Sequence, residues 1–509
     1  MKNNQDFEKI LKDTPNFKLR RAMERLREGL FDPIGVRLLT TGDMDINQHF
    51  ETQIKNLEKG KNAHLCVCGA YGQGKSHTLN YIQQRALEEN YAVSYINLDP
   101  REVPFHNLKQ VYHSLMENLA FPCETVESSN PVKININPLN SSDALTNNSS
   151  TLNSSNALNN SNLSNSNSLL KNSNLLNNNG TLNISMFNGS STFVDIWKKK
   201  VRQWLSLSEN RDKSVLDMIP ETTPHRFKSI LAAMALQTEA IPNDKRNLKK
   251  HVGFKPREFP WILNSAFMGK EIPVIQLRNA LRYRKVSFYN EESLSCKDDR
   301  IYLESIQAYA ALFQNMGYKG WIVLFDEAES IMLTRINQRA KSYSLLHELF
   351  CPDRPIKGFC PVFAFTHDFF THLKNEDFER TRIIKKQKTD SLKITNTSQK
   401  KEILEKTDMS EEKENPFFER NYSKAWHDIN IYRLRNLTSN EWHLLIRKLI
   451  QIHALAYRWE PDVDAMDKII FSRLLKQSEA ESRMKLKLIV NLLDLEQQQM
   501  VISTHLQHA

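Results

Sequence analysis

A chain of 509 residues can hold about two or three domains, or one large domain carrying insertions. Its formal charge of +10 is mild for that length: it permits contact with nucleic acid without demonstrating it, and a solvated surface with excess lysine accounts for it equally well. No apolar run is long enough to cross a bilayer, the polar stretch from Met1 to Asp13 lacks the apolar centre of a signal peptide, and the six cysteines show no zinc spacing. A cytoplasmic protein with buried, reduced thiols and no membrane segment is therefore expected.

Leu19, Met23, Leu26 and Leu30 recur at helical spacing, with Gly29 weakening the helix end and Asp32-Pro33 closing it. The arginines of this stretch read either as a solvated helix face or as a basic edge towards a nucleotide or partner. A second helix over about 45–59 leads into Leu65-Cys66-Val67-Cys68, a short apolar strand. Cys66 and Cys68 are taken to face opposite sides of that strand, which makes them a poor chelating pair.

Directly after it stands Gly69-Ala70-Tyr71-Gly72-Gln73-Gly74-Lys75-Ser76, the G-x-x-x-x-G-K-S pattern of a phosphate-binding loop. The glycines let the backbone close round phosphate oxygens. The loop N–H groups and the following helix N-terminus present positive partial charge. Lys75 is expected to reach the β- and γ-phosphates and Ser76 to ligate Mg²⁺. Leu79, Ile82 and Ala86 mark one face of the helix that follows. Next come a strand over 91–98 and a helix over 107–120, the opening of a parallel α/β sheet.

Between about Val126 and Ser191 the chain is almost all Asn, Ser, Leu and Thr without a fixed period, which reads as a disordered insertion. Residues 193 to 318 read as mostly helical, with Trp197, Trp204 and Trp261 as packing anchors. Lys198-Lys199-Lys200-Val201-Arg202 and Arg282-Tyr283-Arg284-Lys285 are basic clusters, each readable as a solvated face or a nucleic-acid contact.

Trp321-Ile322-Val323-Leu324-Phe325-Asp326-Glu327 is an apolar strand ending in two acids, the Walker B pattern. Such a strand delivers Asp326 to the carboxyl edge of the sheet as a Mg²⁺ ligand, with Glu327 placed to polarise the attacking water. The strand Pro361 to Thr366 ends in a hydroxyl suited to sensing the γ-phosphate. A polar, charged stretch over 383–418 reads as a second mobile insertion. Ile429 to Leu434 alternates like a fifth strand. Thr438-Ser439-Asn440-Glu441 has the form of a capping box opening a helix to about Arg458, followed by helices near 463–476 and 482–498.

These residues resemble AAA+ and related ATPases of the origin-recognition type. More closely, the chain resembles the P-loop ATP-binding family of bacteriophage-exclusion (BREX) defence systems. The likeness is carried by Arg20 to Gly29, Gly69 to Ser76 with His77, Leu98-Asp99-Pro100-Arg101-Glu102-Val103-Pro104, and Gly317-Tyr318-Lys319-Gly320-Trp321 leading into Asp326-Glu327. It implies ATP binding, with His77 counted in the nucleotide site, and a role in phage defence. The Asn/Ser-rich stretch departs from the pattern. So does Ser482-Arg483, where Pro-Arg would be expected, which weakens Arg483 as a nucleotide-reporting arginine. No guanine-reading Asn-Lys-x-Asp occurs, so ATP is preferred over GTP.

The expectation is an α/β protein with a parallel-sheet P-loop NTPase core of AAA+ type, a helical insertion and a small helical C-terminal part. Its segments are 1–60, 61–125, 126–192, 193–318, 319–382, 383–418 and 419–509. Mg²⁺-dependent ATP hydrolysis would drive conformational change in a defence complex with protein partners, on DNA where the basic clusters serve that end; homo-oligomerisation is left open. The alternative is a non-catalytic ATP switch or scaffold. Small-molecule phosphotransfer lacks an acceptor-binding signature.

Overall fold

Six strands form one sheet in the computed structural model, which describes residues 2–30, 32–40, 44–122, 189–236, 258–286, 294–296, 298–379, 420–475 and 481–507. The Asn/Ser-rich stretch as far as residue 188 and the charged stretch over 383–418 lie outside the described residues. The strands are β1 (Leu65–Cys68), β2 (Ala92–Asn97), β3 (Leu119–Ala120), β4 (Trp321–Asp326), β5 (Phe359–Phe365) and β6 (Ile431–Arg433). Their order across the sheet is β3-β2-β4-β5-β1-β6, parallel except for the short edge strand β3. The expected helix over 107–120 forms as α6 (Leu108–Glu117), and β3 takes up its last two residues.

β1, β4 and β5 are buried at every position, as strands covered on both faces must be. Alternate residues feed two cores. Leu65, Val67, Ile322 and Leu324 pack with α4 (Met44–Glu58) and α5 (Lys75–Glu88) on one face. Cys66, Val323, Phe325 and Phe363 join the other face, together with the helices of 189–315. Those helices therefore form a full layer of the main core. Cys66 and Cys68 are two apart in a strand and so share a face, contrary to the expectation that they oppose each other; side-chain direction repeats every second residue.

The anchors of the helical layer are unequal. Trp197 is fully buried, and its indole N–H donates to the Leu231 carbonyl. Trp261 is 62 % exposed, because the buried stripe of its helix runs through Phe259, Ile262, Leu263 and Ala266 and leaves position 261 outside. The second basic cluster is also divided. Arg284 is buried and donates to the Leu236 carbonyl at 2.6 Å, so it ties two helices together and leaves Arg282 and Lys285 as the exposed cations of that group.

A third core joins the two ends of the chain. α1 (Lys2–Asp13), α2 (Asn16–Glu28) and α3 (Pro33–Leu39) pack against α7 (Ser439–Tyr457), α8 (Val463–Leu475) and α9 (Ser482–Gln507). α2 buries Leu19, Met23 and Leu26, whereas Leu30 lies beyond its Gly29 cap and is exposed. Asp32-Pro33 begins a helix as well as ending one: the Asp32 carboxylate accepts from the Ile34 N–H and pairs with Arg21 at 2.7 Å. Arg20 and Arg25 lie on the exposed face of α2, in keeping with a solvated helix face. Arg20 also donates to the Ala456 carbonyl, and Arg27 is tied to the C-terminal helices by pairing with Asp494 at 2.8 Å. The capping box forms as the sequence predicts, with the Thr438 hydroxyl and Glu441 carboxylate each closing a backbone N–H of the first turn of α7.

Candidate functional site

β1 stops at Cys68 and α5 starts at Lys75, so the glycine-rich loop must turn the chain within residues 69–74. Gly72 and Gly74 do this at φ +72° and +109°, backbone that side chains disfavour. A loop of this kind running into a helix N-terminus is a cradle for anions. The Gln73 side chain staples it: Oε1 accepts from the Ala70 N–H at 2.7 Å, and Nε2 donates to the Leu434 carbonyl at 3.1 Å and Asn436 Oδ1 at 3.3 Å. The loop is thereby fastened to the connection between β6 and α7. Tyr71 stands 63 % exposed at its tip.

Lys75 is buried at the floor of the loop. Its Nζ lies 3.3 Å from Glu329 Oε1 and 3.4 Å from the Gly69 carbonyl. Glu329 follows β4 in a turn of 3₁₀ helix (Ala328–Leu333), and its second carboxylate oxygen is buried without a hydrogen-bond partner among the described residues.

The strand order brings the other expected residues to the same edge. Asp326 ends β4, and Thr366 directly follows β5, where the Gly69 N–H donates to the Phe365 carbonyl. Asp326 is 3 % exposed. Its Oδ2 accepts from the Tyr95 hydroxyl at 2.6 Å and its Oδ1 from the Glu327 N–H at 2.9 Å. Ser76 also adjoins the Tyr95 hydroxyl. The oxygens of Ser76 and Asp326 thus share one small space round Tyr95. That donor set suits a hard cation such as Mg²⁺, which keeps most of its shell as phosphate and water. Among the described residues no cluster of three or more His, Cys, Asp or Glu is placed to cage a metal.

Glu327 adopts the left-handed conformation at φ +57°, uncommon for a residue with a side chain and costing about 1 kcal/mol or more. Desolvation, then the carboxylates of Glu329 and Asp326, push its carboxyl above the ordinary range, opposed by Lys75 and Arg483. Desolvation and the adjoining Asp326 likewise raise the Tyr95 phenol.

Beside the loop a cavity of about 160 Å³ opens between α2, α3, β6 and the start of α9. Leu26, Val36, Leu39, Ile46, Tyr432 and Leu434 give it apolar walls, and Gly72, Gly74 and His77 form its loop side. The His77 ring lies 3.1 Å from the Thr40 hydroxyl, and burial lowers its pKa to about 4, so it is neutral at pH 7. At the mouth, Arg483 donates to the Gly29 carbonyl at 2.7 Å, and the Glu481 side chain sits against Gly72. The residue expected to be a weak candidate thus stands at the site.

Sequence reasoning missed Tyr95 and the partnership of Glu329 with Lys75. Glu329 carried a signal, an acid three residues past the strand-ending Asp326. Tyr95 carried none: it belongs to no motif, and 231 residues separate it from its partner.

No curated protein and no solved structure gives a significant match to the chain. A family model does match, over residues 17–129 and 295–375, the two stretches that supply the glycine-rich loop and the Asp326 strand. The family matched there is that of the BREX system ATP-binding protein BrxC/D, and the match supports ATP as a ligand of this chain.

Proposed function

We propose that the chain is a P-loop NTPase of AAA+ type that binds ATP at the loop and hydrolyses it. One observation carries this reading: a cradle for anions, a buried lysine, a hydroxyl–carboxylate pair and a carboxyl of raised pKa converge at one edge of a parallel sheet. The phosphates lie along the loop, with Lys75 turning from Glu329 to their oxygens. Ser76 and Asp326 hold Mg²⁺, which supplies charge neutralisation at the β- and γ-phosphates when bound. The base enters the apolar cavity, bordered by α2 and α3 on one side and β6 and the C-terminal helices on the other. Glu327 accepts the proton of the attacking water, and Thr366 is placed at the γ-phosphate end. Because Gln73 ties the loop to the connection leading into α7, and Arg483 ties the end of α2 to α9, loss of the γ-phosphate would be felt there, and that movement is the output offered to the partners of a defence complex.

The test is turnover and binding measured together. Glu327→Gln is expected to bind ATP like the wild type and to lose about 10²–10⁴ in turnover. Lys75→Ala is expected to lose binding itself. Since the Glu327 carboxyl must be ionised to act and its pKa lies above 4.5, wild-type turnover should fall with acidification on a limb placed above that value. Turnover of Glu327→Gln within a factor of two of wild type would remove Glu327 from the mechanism, and ATP binding with negligible wild-type turnover would make the chain an ATP switch that acts by binding alone.

A further inference from the structure

We propose that Tyr95 is a positioning residue for the metal-bound nucleotide, holding the Asp326 carboxylate in place from the neighbouring strand. The inference rests on the reading of Ser76 and Asp326 as the cation's protein ligands and goes beyond it, since Tyr95 belongs to neither sequence motif.

Asp326 is at the end of β4, where it pairs in parallel register with Asn97 of β2. Tyr95 lies two residues earlier on β2, so both project on the same side of the sheet. The phenol spans the gap from β2 and donates to Oδ2 at 2.6 Å, while the Glu327 N–H donates to Oδ1 at 2.9 Å. One donor on each oxygen fixes the carboxylate plane. A carboxylate has about four acceptor positions, so lone pairs remain for a cation. A phenol with an ordinary pKa near 10 stays a donor at neutral pH. The same hydroxyl adjoins Ser76 near the start of α5. The Asp326 carboxylate is therefore oriented from β2 before any ligand arrives. Outer groups that orient metal ligands in this way typically cost about 10–100-fold in metal affinity when removed.

The experiment uses the full chain and a fluorescent ATP analogue, titrated with Mg²⁺ and, in parallel, with the metal chelated by EDTA. Wild type, Tyr95→Phe, Asp326→Asn and the double variant are compared, with melting temperature as a check on folding. Phenylalanine keeps the ring, so the change removes only the hydroxyl. The expected result is unchanged binding in EDTA, a Mg²⁺ midpoint raised about ten-fold or more in Tyr95→Phe, and no further rise when Tyr95→Phe is added to Asp326→Asn. A Mg²⁺ midpoint within two-fold of wild type overturns the proposal. So does equal weakening with and without Mg²⁺, which would make Tyr95 a packing residue, or full additivity in the double variant, which would separate it from Asp326. If wild-type binding is itself insensitive to Mg²⁺, or if Lys75→Ala binds like wild type, the reading of the metal and phosphate site fails first, and the role of Tyr95 fails with it.

Discussion

Replacing Glu329 by Gln should tighten nucleotide binding while weakening the nucleotide-free fold. In the structure Glu329 neutralises Lys75, the cation that the phosphates need. The side chains are 7 % and 14 % exposed, so the pair is largely out of water. Removing one partner of a buried pair costs about 3–5 kcal/mol. Here the 3.3 Å separation, the Gly69 carbonyl at 3.4 Å and the oxygen that Gln retains reduce this to about 1–2 kcal/mol. The bound state does not suffer that loss, because Lys75 then faces phosphate, and it gains by losing a neighbouring negative charge. Affinity should rise by roughly five- to thirty-fold. The melting temperature without nucleotide should drop by about 1–3 °C, and saturating ATP should restore it. Equilibrium titration of an ATP analogue and a melting curve with and without ligand provide the two numbers. Unchanged values in both would show that the pair does not compete with phosphate. Weaker binding would make Glu329 a group that the bound state uses.

Burial lowers the pKa of His64 and of His77 from 6.5 to about 4. Both are neutral in the fold, and the unfolded chain binds their protons near 6.5, so stability should be complete above pH 6.5 and decline as pH falls towards 4; His64→Gln, which keeps an acceptor for the Asn430 N–H, should flatten that decline, and an unchanged slope would remove His64 from it. For DNA, the informative variant is Arg282→Ala with Lys285→Ala, since Arg284 is committed to the Leu236 carbonyl. If this face grips a phosphate backbone, each lost contact should lower the salt slope of binding by about one unit without changing ATP turnover; wild-type slopes would mark the cluster as a solvated surface.

Local features were legible in the sequence because their causes are local. The strand Trp321–Asp326 ends where its apolar run ends, α5 starts at the lysine of the loop, and the capping box of α7 needs only residues 438 to 441. What the sequence left open depends on which elements meet. Helical spacing predicts a buried face but not which tryptophan faces it, so Trp261 emerged outside while Trp197 went in. Charge predicts exposure, yet Arg284 and Arg27 found a carbonyl or a carboxylate contributed by distant segments. The Asp-Pro pair was legible as a break after one helix, but it is also a local start signal, with Asp32 capping α3 and Pro33 in its first turn. The residue types of the phosphate cradle were written in order along the chain. The contacts of Lys75 with Glu329 and of Tyr95 with Asp326 were not, because the sheet order places β2 beside β4 and sets only β5 between β4 and β1, and side chains separated by hundreds of residues become neighbours only when that order is set.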